Sequence, residues 1–349
     1  MDLGPHGNLD LVPGNGVSLT INLGLLGAFK YGDSVLRNVA ALWGQPPLDQ
    51  LSWVLPIGIS FFTFQTLSYS LDVYRRKTKP CRDPATFALY VCSFPQRVAG
   101  PIERAADLLP QLRSKAAVSS GDFALGFQRI LWGLVKKLVV ADRLAFFVGD
   151  VFAAPGQASG AAVALATVAA TAQLYLDFSA YSDIDVGVAR MLGVRLSENF
   201  RWPFLSSNPA EFCGRWHITL TQWFRDDLGR PLGAVRANQP LRTALRVVFV
   251  MGLVGLWHRA RWNFVVFGLV AGLGLAITSW RRAVPKASGR WQNPQGLSRL
   301  LRVAGTLAYV NLCMLIFVSP DMGRTRVALS NCVEGLWVWE LAFAAPRCS

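Results

Sequence analysis

Charged residues are scarce in this 349-residue chain, at 16% of the total, whereas an average soluble domain carries roughly 25%. Hydrophobic residues make up 52%, and the mean hydropathy is +0.33. A soluble globule of ordinary composition is therefore disfavoured, and the balance favours an integral membrane protein.

Acidic residues are scarcer than basic ones, with 21 Asp and Glu against 35 Lys and Arg, so the formal net charge is +14. Such an excess could indicate nucleic-acid binding. No basic run stands apart from the apolar segments, however, and we expect no nucleic-acid partner. The cations lie in short clusters between apolar runs, such as 75–82 and 281–302, which is typical of cytoplasmic connections in a membrane protein.

Motifs for several common chemistries are also missing. The six cysteines form no CxxC pair, so we expect neither a zinc site nor a disulfide framework, and no bound metal. No glycine-rich phosphate loop, GxSxG elbow or HExxH helix is present, which argues against ATPases, serine hydrolases and zinc peptidases. The N-terminus has no secretory signal pattern, so internal spans would direct insertion.

The chain does have long apolar runs, and a spanning helix needs about 20 such residues. The four best candidates are 50–71, 151–176, 262–280 and 303–320. The weaker candidates are 17–31, 85–100, 123–148 and 245–257, and the broken ones among them are expected to be interior or re-entrant. The Arg- and Trp-rich region 195–246 suits an interfacial or re-entrant position.

The sequence therefore predicts an all-α polytopic membrane protein built from spanning and re-entrant helices. A polar N-terminal tail over residues 1–16 would precede a single membrane domain over 17–349. We find no internal repeat that would divide this domain.

Histidine is rare, with three in the chain: His6, His217 and His258. His6 lies in the polar tail. Both His217 and His258 directly follow a tryptophan and have arginines within three residues. Ionisable groups in a membrane domain are costly and tend to mark functional sites, and histidine titrates near neutral pH. The alternative is that each is a hydrogen-bonded interior residue.

Three carboxylates follow the longest apolar run, at Asp177, Asp183 and Asp185. Asp177 and Tyr181 are four residues apart, so they share a face if the helix continues. These carboxylates could serve a function. They could equally mark the point where the span leaves the membrane.

Five stretches in order carry a family resemblance: "VLPIGISFFTFQTLSYSLDVYRRK" (54–77), "SFPQRVAGPIERAADLLPQL" (93–112), "QLYLDFSAYSDIDVGVARMLGVRLSENFRWPF" (173–204), "RWHITLTQWFRDDLGRPLG" (215–233) and "GLWHRARWNFVVFGL" (255–269). They resemble the membrane-bound O-acyltransferase (MBOAT) family, in its bacterial alginate O-acetyltransferase-like branch. The best-matched core runs over about residues 30–280.

This resemblance implies helices packed around a central reaction chamber in the bacterial inner membrane. It implies acetyl-CoA as a cytoplasmic acyl donor and a secreted or periplasmic polysaccharide, such as alginate, as acceptor. Periplasmic acetyltransferase partner proteins would complete the transfer. By resemblance His258 is the catalytic residue, a general base or another aid to acyl transfer, and His217 orients or polarises a reacting group in the same chamber.

The chain departs from the family pattern at several points. Arg259 stands where the family usually has glycine, and Cys213 and Gly214 replace bulkier residues before His217. Both ends look shorter than in family members, so we expect a truncated copy. The alternatives are a catalytically inactive scaffold or remnant, a D-alanyl-transferring enzyme of the same family, and a transporter using His and Asp as a proton relay.

Overall fold

The computed structural model describes residues 13–46, 56, 58–93, 100–114, 117–233, 239–283 and 295–344. Regular structure in these ranges is helical and includes no strand, which confirms the all-α prediction. The α-helices are α1 Pro13–Leu26, α2 Gly32–Leu42, α3 Ile59–Tyr74, α4 Pro84–Cys92, α5 Ala105–Arg113, α6 Ser120–Leu134, α7 Asp142–Ala153, α8 Gly160–Met191, α9 Pro209–Arg215, α10 Ile218–Trp223, α11 Pro240–His258, α12 Trp262–Ala283, α13 Gly296–Val318 and α14 Met322–Ala344. Single π-helical segments occur at Gly27–Tyr31, Val135–Ala141 and Phe224–Gly229.

The chain divides into two compact units, residues 1–117 and 118–349. In the first unit α1 packs on α3 through polar contacts. The Ser18 and Ser70 hydroxyls lie 2.8 Å apart, and Thr66 Oγ1 donates to Asn22 Oδ1 at 2.7 Å. The single domain over 17–349 stays a prediction, although α1 already begins at Pro13, within the expected tail.

Within the described ranges, four helices are long and apolar enough to cross a membrane: α8, α11, α12 and α13. Helices α12 and α13 match the expected spans at 262–280 and 303–320. Helix α11, which contains the weaker candidate at 245–257, is continuous over its 19 residues.

The other expected spans differ more from the structure. The span at 151–176 begins at Gly160, because a 3-10 turn at Pro155–Gln157 precedes it and the Ser159 side chain caps the helix. Of the run 50–71, residues 50–55 and 57 lie outside the described residues, and α3 begins at Ile59.

Helices α11 and α12 form an antiparallel hairpin whose backbones are in contact along a line of glycines. A Cβ on Gly255 would lie 2.0 Å from the Phe264 carbonyl oxygen, and one on Gly268 would lie 2.2 Å from that of Met251. Small residues permit this close approach between membrane helices. His258 is the last residue of α11, so this glycine contact determines where its backbone lies.

Helix α8 packs on α6 by the same means and adds paired charges. A Cβ on Gly126 would lie 2.6 Å from the Gly187 carbonyl oxygen. Asp183 on α8 is bound by Arg129 Nε at 3.0 Å and by the ammonium group of the buried Lys136. A buried charge is tolerated only when it is paired and hydrogen-bonded, and this cluster meets that condition.

Asp177 lies one and a half turns before Asp183 on the same helix. Lys137 Nζ is 2.7 Å from the Asp177 carboxylate, 2.8 Å from Asp142 and 5.9 Å from the centre of the Tyr181 ring. Helix α8 continues to Met191, so Asp177 and Tyr181 share a face as expected. Asp177 and Asp183 therefore join α8 to the segment 129–142 and do not end the helix.

Replacing Gly255 with alanine is expected to destabilise the hairpin, because the new methyl group would meet backbone atoms that have no room to move. Overpacking of this kind typically costs about 1–3 kcal/mol or more. Gly305→Ala is the matched control, since an added Cβ there meets nothing within 4 Å and alanine favours a helix by up to about 1 kcal/mol. Thermal unfolding in detergent micelles tests this; an unchanged Tm for Gly255→Ala would contradict the close packing.

Asp183→Asn is expected to cost about 3–5 kcal/mol, because it leaves the buried Lys136 ammonium without its carboxylate. Asp142→Asn is the control: Asp142 is more exposed, and its partner Lys137 keeps Asp177. Thermal unfolding of both variants should show a large loss of Tm for the first and little for the second. Equal losses of Tm in the two variants would contradict the claim that the ion pair between Asp183 and Lys136 is more important for stability than the one between Asp142 and Lys137.

Candidate active site

His217 lies between two short helices, α9 and α10, and the residues before it favour a helix that ends just ahead of it. Asn208 caps α9, with its side chain accepting from the Glu211 amide, and Pro209 occupies the first helical position. Helix α9 ends at Arg215, and His217 starts α10 with φ 43° and ψ 56°. A left-handed conformation is uncommon for a residue other than glycine, and it recurs at functional sites.

Main-chain bonds hold this conformation. The Ile218 amide donates to the Asn199 carbonyl at 2.9 Å, and the Arg201 amide donates to the Arg215 carbonyl at 2.9 Å. Residues 199–201 therefore pair with residues 215–218, and these main-chain bonds help to fix the turn that carries His217.

The His217 ring is 4% exposed and is enclosed on several sides. Its Nδ1 lies 3.2 Å from Asn199 Oδ1. The edge of Phe178 approaches with ring centres 4.6 Å apart, and Phe200 lies stacked at 6.4 Å. Burial, and in second place the nearby His258, lower the pKa of His217 from its usual 6.5 to about 3. The ring is therefore neutral at physiological pH.

His258 is half-buried at the end of α11, among three aromatic rings. Ring centres lie 4.8 Å away at Trp257, 5.2 Å at Phe317 and 6.1 Å at Phe267. Its neighbour Arg259 is exposed and extended, with φ −158°. The bulky cation that replaces glycine next to His258 is thus exposed, whereas His258 is half-buried among the rings.

The tip of the α11–α12 hairpin is attached to the end of α13. The Asn263 side chain is 1% exposed, and its Nδ2 donates to the Ser319 carbonyl at 2.8 Å. Arg261 Nη1 donates to the Pro320 carbonyl at 2.9 Å. Arg261 therefore has a structural contact, and the hairpin holds His258 against α13, which carries Phe317.

One aromatic cluster brings the two tryptophan–histidine stretches together. The buried residues Phe212, Val310 and Met314 form its centre, with Trp216 and Phe317 packed against it. Trp216 precedes His217, and Phe317 contacts His258. Because His258 also influences the pKa of His217, the two histidines lie in one neighbourhood of the second unit.

The sequence pattern does not single out Asn199, which the structure places against His217. It is 1% exposed. In the sequence it is marked only by its place in "ENFRWPF", after Glu198 and before several aromatic residues. Two other features lie outside the described residues: His6, and positions 94–99 of the "SFPQRVAGPIER" stretch.

The helices and this site define a class of protein: a polytopic α-helical membrane protein with two neighbouring histidines beside one hydrophobic cluster. The membrane-bound O-acyltransferase family pattern matches residues 45–317, so the chain belongs to that family. The match includes both histidines.

Relatives point to one branch of the family. The chain is 39% identical over 275 residues to the probable alginate O-acetylase AlgI of Azotobacter vinelandii, covering 77% of this chain and 54% of that protein. It is 39% identical over 264 residues to the Pseudomonas aeruginosa protein of the same name, covering 75% and 50%. A peptidoglycan O-acetyltransferase from Helicobacter pylori is 31% identical over 344 residues, covering 91% and 64%. The chain thus spans about half the length of the alginate O-acetylases it matches.

The low pKa of His217 predicts a pH-dependent stability. Below the unfolded-state pKa of about 6.5 the unfolded chain binds a proton that the folded chain refuses, so stability is complete above that pH and falls as pH drops from about 6.5 toward about 3. One such proton contributes a slope of up to about 1.4 kcal/mol per pH unit. Unfolding of wild type and His217→Gln at pH 7.5 and 5 should show a smaller loss in the variant; parallel losses would refute this.

Proposed function

We propose that this chain forms the acyl-transfer core of a bacterial inner-membrane O-acetyltransferase. It would move an acetyl group from cytoplasmic acetyl-CoA toward hydroxyl groups of a secreted or periplasmic polysaccharide, of which alginate is the first candidate. The observation that supports this proposal is that His217 and His258 are close enough for His258 to lower the pKa of His217, and that their neighbours Trp216 and Phe317 pack against one hydrophobic cluster. The names of the relatives, two alginate O-acetylases and a peptidoglycan O-acetyltransferase, support the substrate class.

In this proposal His258 is the general base. It is half-buried, so a substrate can reach it, and the aromatic rings around it limit competing water. It takes the proton from an acceptor hydroxyl, whose oxygen attacks the thioester carbonyl of the donor. The carbon–sulfur bond then breaks, and the CoA thiolate leaves and is protonated. A positioned base of this kind typically contributes 10²–10⁴-fold to the rate.

His217 has a different role, because its surroundings are different. It is almost fully buried, neutral and fixed by Asn199, so it suits orientation of a reacting group rather than shuttling of protons. A fixed, pre-oriented polar group in a site without bulk water costs no rearrangement during the reaction.

The donor and acceptor sides follow from the family and from the charge. We expect the anionic acetyl-CoA to approach from the cytoplasmic side, where the basic connections are expected. Periplasmic acetyltransferase partner proteins would receive the acetyl group or complete its transfer to the polysaccharide. Identity to the acetyl-transferring relatives favours acetyl over D-alanyl as the group moved.

The test is complementation of an alginate-producing strain that lacks its own alginate O-acetylase but retains the periplasmic partner proteins. We expect the chain to restore polysaccharide O-acetyl groups, and His258→Ala to lower the rate of acetylation at least about 100-fold. O-acetyl content of the secreted polymer is measured by its release as acetate, and release of D-alanine is measured alongside it.

His6→Ala is the matched control, because it removes the one histidine outside the two motifs, and it should leave acetylation unchanged. Membrane insertion of every variant is verified by fractionation. Inserted protein without acetylation above background would favour the inactive scaffold. Full activity of His258→Ala would instead refute the assignment of the base.

A further inference from the structure

We propose that Asn199 is a positioning residue that fixes the tautomer of His217, so that Nδ1 carries the ring proton and Nε2 carries the lone pair. The inference deepens the proposed function, since it rests on His217 orienting a reacting group, and it states which kind of group His217 can orient.

The contacts of Asn199 with Thr219 fix the orientation of the Asn199 side-chain amide. Its Oδ1 accepts from the Thr219 amide at 3.2 Å and from the Thr219 hydroxyl at 3.0 Å. A backbone amide can only donate, so the reversed amide would set the Nδ2 hydrogens against the Thr219 N–H. The contact with Thr219 therefore selects the oxygen, even though the buried Nδ2 has no hydrogen-bond partner among the described residues.

The orientation of the Asn199 amide determines which nitrogen of the His217 ring carries the proton. The same Oδ1 lies 3.2 Å from His217 Nδ1, and a carbonyl oxygen can only accept. Nδ1 must therefore donate, because two lone pairs facing each other in a buried site would repel. A neutral imidazole ring carries one proton, so Nε2 then has the lone pair. The hydrogen-bond partner of one ring nitrogen thus determines the protonation of the other nitrogen.

The neighbours of the ring limit its rotation. Phe178 meets it edge-on at 4.6 Å, and Phe200 lies stacked at 6.4 Å. The backbone on both sides is tied down, since the Ile218 amide donates to the Asn199 carbonyl and the Thr221 amide donates to the His217 carbonyl. Asn199 thus holds both the side chain and the main chain around His217.

A consequence for the chemistry follows. With a lone pair at Nε2, His217 can accept but not donate at that atom, so a group that it orients is a donor, such as a hydroxyl next to the one that His258 deprotonates. It does not donate to the thioester carbonyl. Asn199 acts only through His217, and the tautomer is the property that it controls.

The test is nitrogen NMR of the full chain in detergent micelles, with only histidine labelled with ¹⁵N. Three histidines give few signals, and His217→Gln identifies the one of interest. A histidine without constraints prefers the proton on Nε2, so the expected protonated Nδ1 and unprotonated Nε2 are distinctive. An Nε2-protonated His217 in the wild-type chain would overturn the proposal.

Two variants separate the effect from general damage to the fold. Asn199→Leu removes the acceptor, and we expect the tautomer ratio to shift at least about fivefold toward Nε2–H, as loss of one hydrogen bond implies. Thr219→Val removes one donor to Oδ1 but keeps the backbone amide, so the wild-type tautomer should remain. If Asn199→Leu does not fold, Asn199→Asp, which keeps an acceptor, should still show a protonated Nδ1. An unchanged ratio in folded Asn199→Leu, or loss of the Nδ1 proton in Asn199→Asp, would refute the proposal.

This readout needs no acetyl transfer. A correct tautomer without O-acetylation would refute the proposed function alone, and O-acetylation with the opposite tautomer would refute only the role of Asn199.

Discussion

The close contact between α11 and α12 is the constraint on which the site depends. At Gly255 and Gly268 the two backbones leave no space for a side chain, so the hairpin has one register. Aqueous proteins can press helices together by burying apolar surface, but lipid offers little such drive, and close packing of small residues replaces it. His258 ends α11 three residues after Gly255, so the register of the hairpin determines the position of the proposed base.

Several polar groups inside this molecule are paired across the fold. Asp183 lies between Arg129 and Lys136, Asn263 bonds to the end of α13, and Asn199 bonds to His217. Each pair joins segments far apart in sequence. An unpaired polar group in a low-dielectric interior is costly, so the same bonds that satisfy these groups also select one arrangement of the helices.

Apolar length and motif order were enough to predict the fold class and the spans of α12 and α13. They also pointed to the two histidines, whose roles stay a prediction. The stretch 245–257 was a weaker span candidate because Arg242 and Arg246 interrupt its apolar run, and the structure extends it into the 19-residue helix α11. The sequence could not predict the contact of Asn199, since an asparagine gains its role only when a turn folds it against His217. The carboxylates of α8 were ambiguous for the same reason: their partners lie 40 residues (Lys137 to Asp177) to 54 residues (Arg129 to Asp183) earlier in the sequence.

The turn around His217 is held in part by main-chain hydrogen bonds, and this affects which of its residues can be replaced. The bonds from Arg201 to Arg215 and from Ile218 to Asn199 do not depend on side-chain identity. Gly214 faces open space, where an added Cβ would meet nothing within 4 Å. Gly214, one of the departures from the family pattern just before the histidine, thus occupies a position at which a small side chain leaves those bonds in place. Mutational tolerance in this segment is therefore uneven: wider at Gly214, and narrow at Asn199 and His217.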